Sequence, residues 1–406
     1  MNYIYSILGL GTNYIYPLLI IPFIISSYGL DGFGRYTVIL SIVNCMNVLV
    51  SYGFDLSLPS IFKKRVNAIY KKVILSRLIV FAIILIPTPF ILISFKVDVS
   101  PLMCTILLMI LGTAISPNYI AIYNERFSNI FFSGLLSKVL SALLVSLGIY
   151  MKSPLELIVL FSVIWMLAGP LLLILMERKY IIKGIKFSDE CSCYEIMKLG
   201  MPVFLSNALS LCLTSLVVPL VSLLSNFHTA GLYSVFDKIM RGALSLIDSI
   251  YSVMYVKSIS ANKYGEIWFK RIFGVGVGAG IVISFVYFTM GDWFFYILSN
   301  YLSLEISKEY IAPLFIGLII ICICSVGNAS VVTVLYPANK YNIVNYAVLF
   351  SAIFIIGGFL LIHFNMLEAT FSNFVILLFI AELLSNLVKT ISGLILINRK
   401  KYFYGA

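Results

Sequence analysis

The chain has 406 residues, 61% of them hydrophobic and only 11% charged, and carries a net charge of +11 from 28 lysines and arginines against 17 acids. An ordinary soluble domain is about 25% charged, so this composition excludes a water-soluble fold. The basic excess does not point to nucleic acid, because these residues flank apolar runs instead of forming one domain face.

Apolar stretches of about 20 residues recur along the chain, each long enough to cross a hydrocarbon core about 30 Å thick at 1.5 Å per helical residue. Runs such as Val73 to Phe95 are continuously apolar. A transmembrane barrel, with alternating strands of about 10 residues, is thereby discarded. The reading is an all-α polytopic membrane protein of about twelve transmembrane helices, near 4–28, 35–54, 73–95, 101–123, 131–150, 154–176, 196–224, 231–256, 270–290, 310–336, 342–364 and 368–397. Met1 to Leu10 lack a basic n-region and a small-residue cleavage site, and are read as the start of span one.

Sidedness follows from lysine and arginine, which are retained in the cytoplasm. Lys63, Lys64, Arg65, Lys71, Lys72 and Arg77 follow span two, Arg126 follows span four, and Arg178, Lys179, Lys183, Lys186 and Lys198 follow span six. Lys257, Lys263, Lys270 and Arg271 follow span eight, Lys340 follows span ten, and Arg399, Lys400 and Lys401 close the chain. The opposite loops hold only Arg35, Lys96, Lys152 and Lys308. Both termini are therefore expected in the cytoplasm, with anionic inner-leaflet lipids as partners of the basic ends.

An internal repeat is visible at one constant offset, which pairs Pro22 with Pro219, Gly34 with Gly231 and Tyr36 with Tyr233. Six spans per repeat is an even number, so the halves share an orientation and are related by an axis along the membrane normal. The predicted organisation is an N-terminal six-helix bundle over 1–176, a cytoplasmic linker over 177–195 and a C-terminal six-helix bundle over 196–406, two parallel bundles around a central cavity.

Ionisable groups inside a span cost about 2.5–3.5 kcal/mol on insertion scales and mark functional sites. At about 100° per residue, Asp237, Arg241, Ser245, Asp248 and Ser252 share one face of span eight, with Lys238 at its edge. This stripe either lines a water-filled cavity, where the rigid fork of Arg241 meets an anionic group, or is built around a self-neutralising Asp237–Arg241 pair at i, i+4. Asn44 lies on the polar side of span two with Ser41, Ser51 and Asp55, while Asn207, Ser210 and Thr214 share a side of span seven. Glu382, Asn386 and Lys389 fall together in span twelve, where the acid and the lysine are spaced to pair. Lys138 stands alone in span five, placed to snorkel towards the cytoplasm.

Pro17 and Pro22 in span one, with Pro202 and Pro219 in span seven, are hinge candidates, since each removes a backbone hydrogen bond. Gly274, Gly276, Gly278 and Gly280 carry G-x-x-x-G spacings suited to close helix packing. The seven cysteines lack zinc-ligand spacing. No metal and no cofactor is expected, and no Walker A sequence is present. Transport would run on an ion gradient of H+ or Na+, on the membrane potential, or on the substrate's own gradient.

The segment Tyr16-Pro-Leu-Leu-Ile-Ile-Pro-Phe-Ile-Ile-Ser-Ser-Tyr-Gly-Leu-Asp-Gly-Phe-Gly-Arg-Tyr36, then Val50-Ser-Tyr-Gly-Phe-Asp-Leu-Ser57 with its basic loop, resembles the Wzx-type O-antigen flippases. These belong to the multidrug, oligosaccharidyl-lipid and polysaccharide (MOP) exporter superfamily. Ala230-Gly-Leu-Tyr-Ser-Val-Phe-Asp-Lys-Ile239 supplies the matching motif of the second half. The resemblance implies a bacterial cytoplasmic-membrane protein with a cationic cavity and undecaprenyl-diphosphate-linked oligosaccharide repeat units as cargo. It also implies the polymerase and chain-length regulator of the same pathway as partners. Arg241 looks like the cavity arginine of related lipid-linked-sugar flippases. The chain departs from peptidoglycan-precursor flippases, which carry several arginines in their first two spans, where this sequence has only Arg35. Two alternatives stay open: a membrane-embedded polysaccharide polymerase, although the longest external stretch is only Gly291 to Glu309, and a multidrug exporter, for which Asp237 and Asp248 speak.

Overall fold

The computed structural model describes residues 2–55, 57–58, 69–95, 97, 100–186, 192–241, 244, 274, 311–335 and 340–404. Among the described residues there is no strand. Among them six helices are long and apolar enough to cross a membrane, or seven if one bent pair is a single span. Span eight beyond 241, apart from Leu244, span nine apart from Gly274, and the external stretch 291–309 lie outside the described residues.

Spans one and two form one helical run, Asn2–Ser51, broken only at Gly29, where φ is 68° and ψ is −180°. That backbone conformation is open to glycine and closed to most side chains. The loop expected between 28 and 35 shrinks to this residue, because 30–34 are already helical. Span three is Tyr70–Leu85 followed by Thr88–Ser94, bent by 42°. Pro87 sits at the bend and has no N–H to continue the ladder. Span four breaks twice, into Pro101–Leu108, Leu111–Ile115 and Asn118–Tyr123. Pro117 forces Ser116 into an extended conformation with ψ of 127°.

Span five is Phe127–Tyr150, and its two faces show what surrounds it. Ser133, Ser137, Lys138 and Ser141 are buried, whereas Leu136, Leu143 and Leu147 are exposed. Polar groups face the bundle and leucines face outward, as in a helix that meets lipid. Span six consists of Leu155–Val163 and Trp165–Lys186, so helix continues well past the boundary drawn at 176. Glu177 is fully buried there and accepts a hydrogen bond from Asn129 Nδ2 at 2.7 Å.

The second half begins at Cys193–Leu211, opened by a reciprocal capping box between Ser192 and Glu195. Val217–Leu224 and a helix over 227–241 follow, then Ile311–Ser330, Tyr341–His363 and Phe371–Tyr404. Span one runs parallel to span five: Tyr5 packs on Phe131 and Phe132, Tyr16 bonds Ser141 at 2.5 Å, and Tyr28 donates to the Ser153 carbonyl at 2.5 Å.

The two bundles meet where span two packs against spans seven and eight. Their closest approach joins the glycines that the repeat pairs: a Cβ on Gly34 would lie 1.8 Å from the Phe227 carbonyl oxygen, and one on Gly231 would lie 2.8 Å from that of Leu30. Backbone packs against backbone, with no volume for a methyl group. Gly34→Ala is expected to destabilise the detergent-solubilised protein by about 1–3 kcal/mol, the cost of overpacking. Gly357→Ala, with nothing within 4 Å of the added atom, should be neutral or stabilise by up to about 1 kcal/mol through helix propensity. Thermal unfolding of the two variants side by side checks both.

Candidate substrate cavity

Span seven loses its helix between Leu211 and Val217. Cys212, Leu213 and Thr214 donate three residues back, to Leu209, Ser210 and Leu211 at 3.2, 3.0 and 3.1 Å. Val217 N–H, the regular partner of the Leu213 carbonyl, bonds Thr214 instead at 3.3 Å. Arg241 from the neighbouring helix takes its place, with Nη2 donating to the Leu213 oxygen at 2.8 Å. Its Nε donates to Asp237 at 2.7 Å. The arginine thus completes a broken backbone and holds an intrahelical ion pair at once.

The same side chain lines a cavity of about 220 Å³ together with Ser210, Thr214, Asn328, Glu382, Asn386 and Lys389. Every described lining residue comes from the second half of the chain. Glu382, Asn386 and Lys389 are 9%, 2% and 8% exposed, so the charges are held out of water. The Glu382 carboxylate accepts from Asn386 Nδ2 at 3.3 Å and from the Cys324 thiol at 3.5 Å. Among the described residues Glu382 and Lys389 make no ion pair with each other. Among the described residues two cations and one carboxylate line this space, and the remaining polar lining is neutral amide, hydroxyl and thiol.

A family described as polysaccharide biosynthesis protein matches residues 1–256. The chain belongs to that family. No curated protein matches it in sequence. Solved structures do. One is a MOP-superfamily transporter from Pyrococcus furiosus Vc1, described as having a binding pocket of reversed polarity, with a TM-score of 0.65 at 12% identity over 97% of this chain and 94% of that one. A multidrug resistance MATE transporter of the MOP superfamily, inward-facing, superposes with a TM-score of 0.62 at 12% identity over 100% and 96% of the two chains. A MATE protein in complex with MaL6 gives 0.63 at 14% identity over 98% and 96%. At such identities the likeness establishes the fold, which is that of the MOP transporters. The family description gives polysaccharide biosynthesis, and the fold is one shared with solved transporters.

For this polysaccharide biosynthesis protein the structure places the remaining sequence candidates as follows. Lys238 is half-buried beside Asp237, and Asp248 lies outside the described residues. Asn44 is half-buried on span two and is not among the cavity's lining residues. Lys138 does not snorkel. It is 5% exposed, donates to Thr12 Oγ1 at 3.1 Å and sits 5.4 Å from the Trp165 ring, inside the N-terminal bundle. Pro17 and Pro22 lie within the run Asn2–Ser51, Pro202 lies within Cys193–Leu211, and Pro219 lies in the first turn after the span-seven break.

Sequence reasoning missed a second buried arginine. Arg77, counted above as a loop cation, is 0% exposed in span three and pairs with Asp55 at 2.9 Å. Its Nη1 donates to the carbonyls of Thr113 at 3.2 Å and Ser116 at 2.8 Å. Ile120 N–H bonds Pro117, which leaves the Ser116 oxygen to Arg77, while the Thr113 oxygen, whose regular partner would be the N–H that Pro117 lacks, also accepts from Ser116 N–H at 3.3 Å. The available signal was an arginine four residues inside the run that starts at Val73. A second cation, Arg126, is 37% exposed and stands 3.8 Å from Glu177.

Asp55→Asn strips a fully buried cation of its counter-charge, which costs about 3–5 kcal/mol when both partners are enclosed. With Asp55 itself 30% exposed, a loss near about 3 kcal/mol is expected in thermal unfolding. Arg126→Ala should cost about 1–3 kcal/mol, because it leaves the fully buried Glu177 carboxylate without its cation, although the pair is long and Arg126 is partly exposed.

Proposed function

We propose that the protein flips undecaprenyl-diphosphate-linked oligosaccharide repeat units, O-antigen or a similar surface glycan, from the cytoplasmic to the outer leaflet of a bacterial cytoplasmic membrane. The observation that carries this reading is the pair of cations, Arg241 and Lys389, lining one membrane-embedded cavity with Glu382 as the one acid among the described lining residues. A charge in a membrane interior is retained when it has work to do. A guanidinium already oriented by two hydrogen bonds is preorganised for a diphosphate. The polysaccharide biosynthesis family supplies the chemical class of the cargo, and the MOP fold supplies a two-bundle frame that can open to either side.

The glycan itself is polar and bulky, so the bundles must part to pass it while the lipid stays in the bilayer. The basic residues at one set of span ends support cytoplasmic termini. With no Walker A sequence, an H+ or Na+ gradient or the membrane potential would drive the cycle. A cationic drug is a poorer fit, since two lining cations oppose it and one carboxylate attracts it.

The test is deletion of the gene in its native host, with plasmid-borne wild-type or Arg241→Ala copies, reading surface glycan and lipid-linked repeat units in the membrane. Deletion should abolish surface glycan, including single unpolymerised units, and accumulate the lipid-linked precursor. Arg241→Ala should restore roughly 10- to 100-fold less than wild type, the value of a charge-assisted hydrogen bond of about 1.5–3 kcal/mol. Arg241→Lys should recover part of that loss. Single units at the surface of the deletion strain would overturn the proposal.

A further inference from the structure

Span two ends in an unusual backbone. Tyr52 and Gly53 adopt successive positive φ angles, 54° and 67°. Glycine bears this freely, but a tyrosine in the left-handed region is strained and persists only where its surroundings hold it.

The hold comes from the other bundle. The Tyr52 ring, 6% exposed, stacks on Phe204 of span seven with centroids 4.3 Å apart and planes at 13°. Its hydroxyl donates to Met201 Sδ at 3.3 Å. A Cβ on Gly53 would come within 2.7 Å of Val203 Cγ1, and one on Gly200 within 2.8 Å of Phe54 Cε1. The next residues are tied back to the N-terminal bundle. Phe54 is fully buried beneath the Arg77 guanidinium at 5.7 Å, and Asp55 pairs with Arg77 at 2.9 Å. Adjacent residues of one turn are therefore pinned to opposite sides of the seam.

We propose that the Tyr52–Gly53 turn is a strained latch that holds this end of the two bundles shut. While Tyr52 is seated between Phe204 and Phe54, the left-handed backbone is maintained. When the bundles part, the ring leaves and the backbone relaxes, which offsets part of the cost of exposing the aromatic faces. A relaxed aromatic clasp would trap the closed state, whereas a strained one keeps the two states close in free energy. The inference goes beyond the cargo assignment, and its first readout, the labelling rate, needs no substrate, so it stands or falls apart from that assignment.

The experiment uses the full chain in proteoliposomes, with the native cysteines replaced by alanine and Val203→Cys, which packs against Gly53 and leaves the Tyr52–Phe204 stack in place, as the reporter of a water-soluble maleimide. Tyr52→Ala, which loses the ring and keeps the strain, should raise the labelling rate about threefold to tenfold, the range an aromatic contact is worth. Tyr52→Gly, which loses both, should raise it less, and Tyr52→Phe should leave it near the parent. In a second arm, oxidised Tyr52→Cys/Phe204→Cys is assayed by surface-glycan export in the deletion strain. Export should be blocked by the crosslink and recovered with reductant. Unchanged labelling in Tyr52→Ala, or normal export by the crosslinked chain, overturns the latch. Labelling in Tyr52→Gly equal to or above that in Tyr52→Ala overturns the strain.

Discussion

A carbonyl released by a helix break inside a membrane has no water to turn to, and leaving it bare costs several kcal/mol. This chain breaks its helices repeatedly, and at two of the breaks an arginine from a neighbouring helix donates to the released oxygens. Arg241 reaches Leu213 in span seven, and Arg77 reaches Thr113 and Ser116 in span four. Each guanidinium also holds one carboxylate, so backbone repair and charge balance are solved by the same side chain. The planar fork makes this possible, since one ammonium cannot match several fixed acceptor directions as well.

That constraint explains why the two arginines differ in what they can do. Arg77 is sealed, at 0% exposure, between the break, Asp55 and the rings of Phe54 and Tyr119. It fixes the inner architecture of spans two to four. Arg241 makes fewer backbone contacts and borders a cavity, beside Lys389 and Glu382. A cation that is structurally committed on one side and open to a cavity on the other is well placed to bind an anion without first being ordered.

The sequence made the helical class and most spans legible because apolar length is a strong, local signal. Span eleven, expected at 342–364, is Tyr341–His363, and span ten, expected at 310–336, is Ile311–Leu335 when its last turn is included. The joint appearance of Arg241, Glu382 and Lys389 at one cavity was less visible, because three-dimensional neighbourhood between spans eight and twelve leaves no mark in either helix's own periodicity. Arg77 was misread for a different reason. Its place at the edge of a basic loop fits the positive-inside pattern, and only the Pro117 break, forty residues on, gives it another task. Helix continuation past 176 was hidden likewise, since a buried Glu177 looks like a linker residue until Asn129 and Arg126 are seen beside it.

The glycines that the repeat pairs face each other across the seam, but the buried charges of the two halves are not alike. Gly34 and Gly231, equivalent by the repeat, touch each other's helices, as residues beside a two-fold axis must. Yet the N-terminal bundle answers with Lys138 enclosed by Thr12 and Trp165, whereas the C-terminal bundle gathers Arg241, Lys389 and Glu382 around open space. Span seven is broken near its middle, while the equivalent stretch of span one, although it contains Pro17 and Pro22, is continuous to Gly29. The repeat read from the sequence pairs the glycines at the closest approach of the two bundles. It does not account for where charge sits. That follows from which helix was interrupted, because an interruption both creates the need for a buried arginine and opens the space beside it.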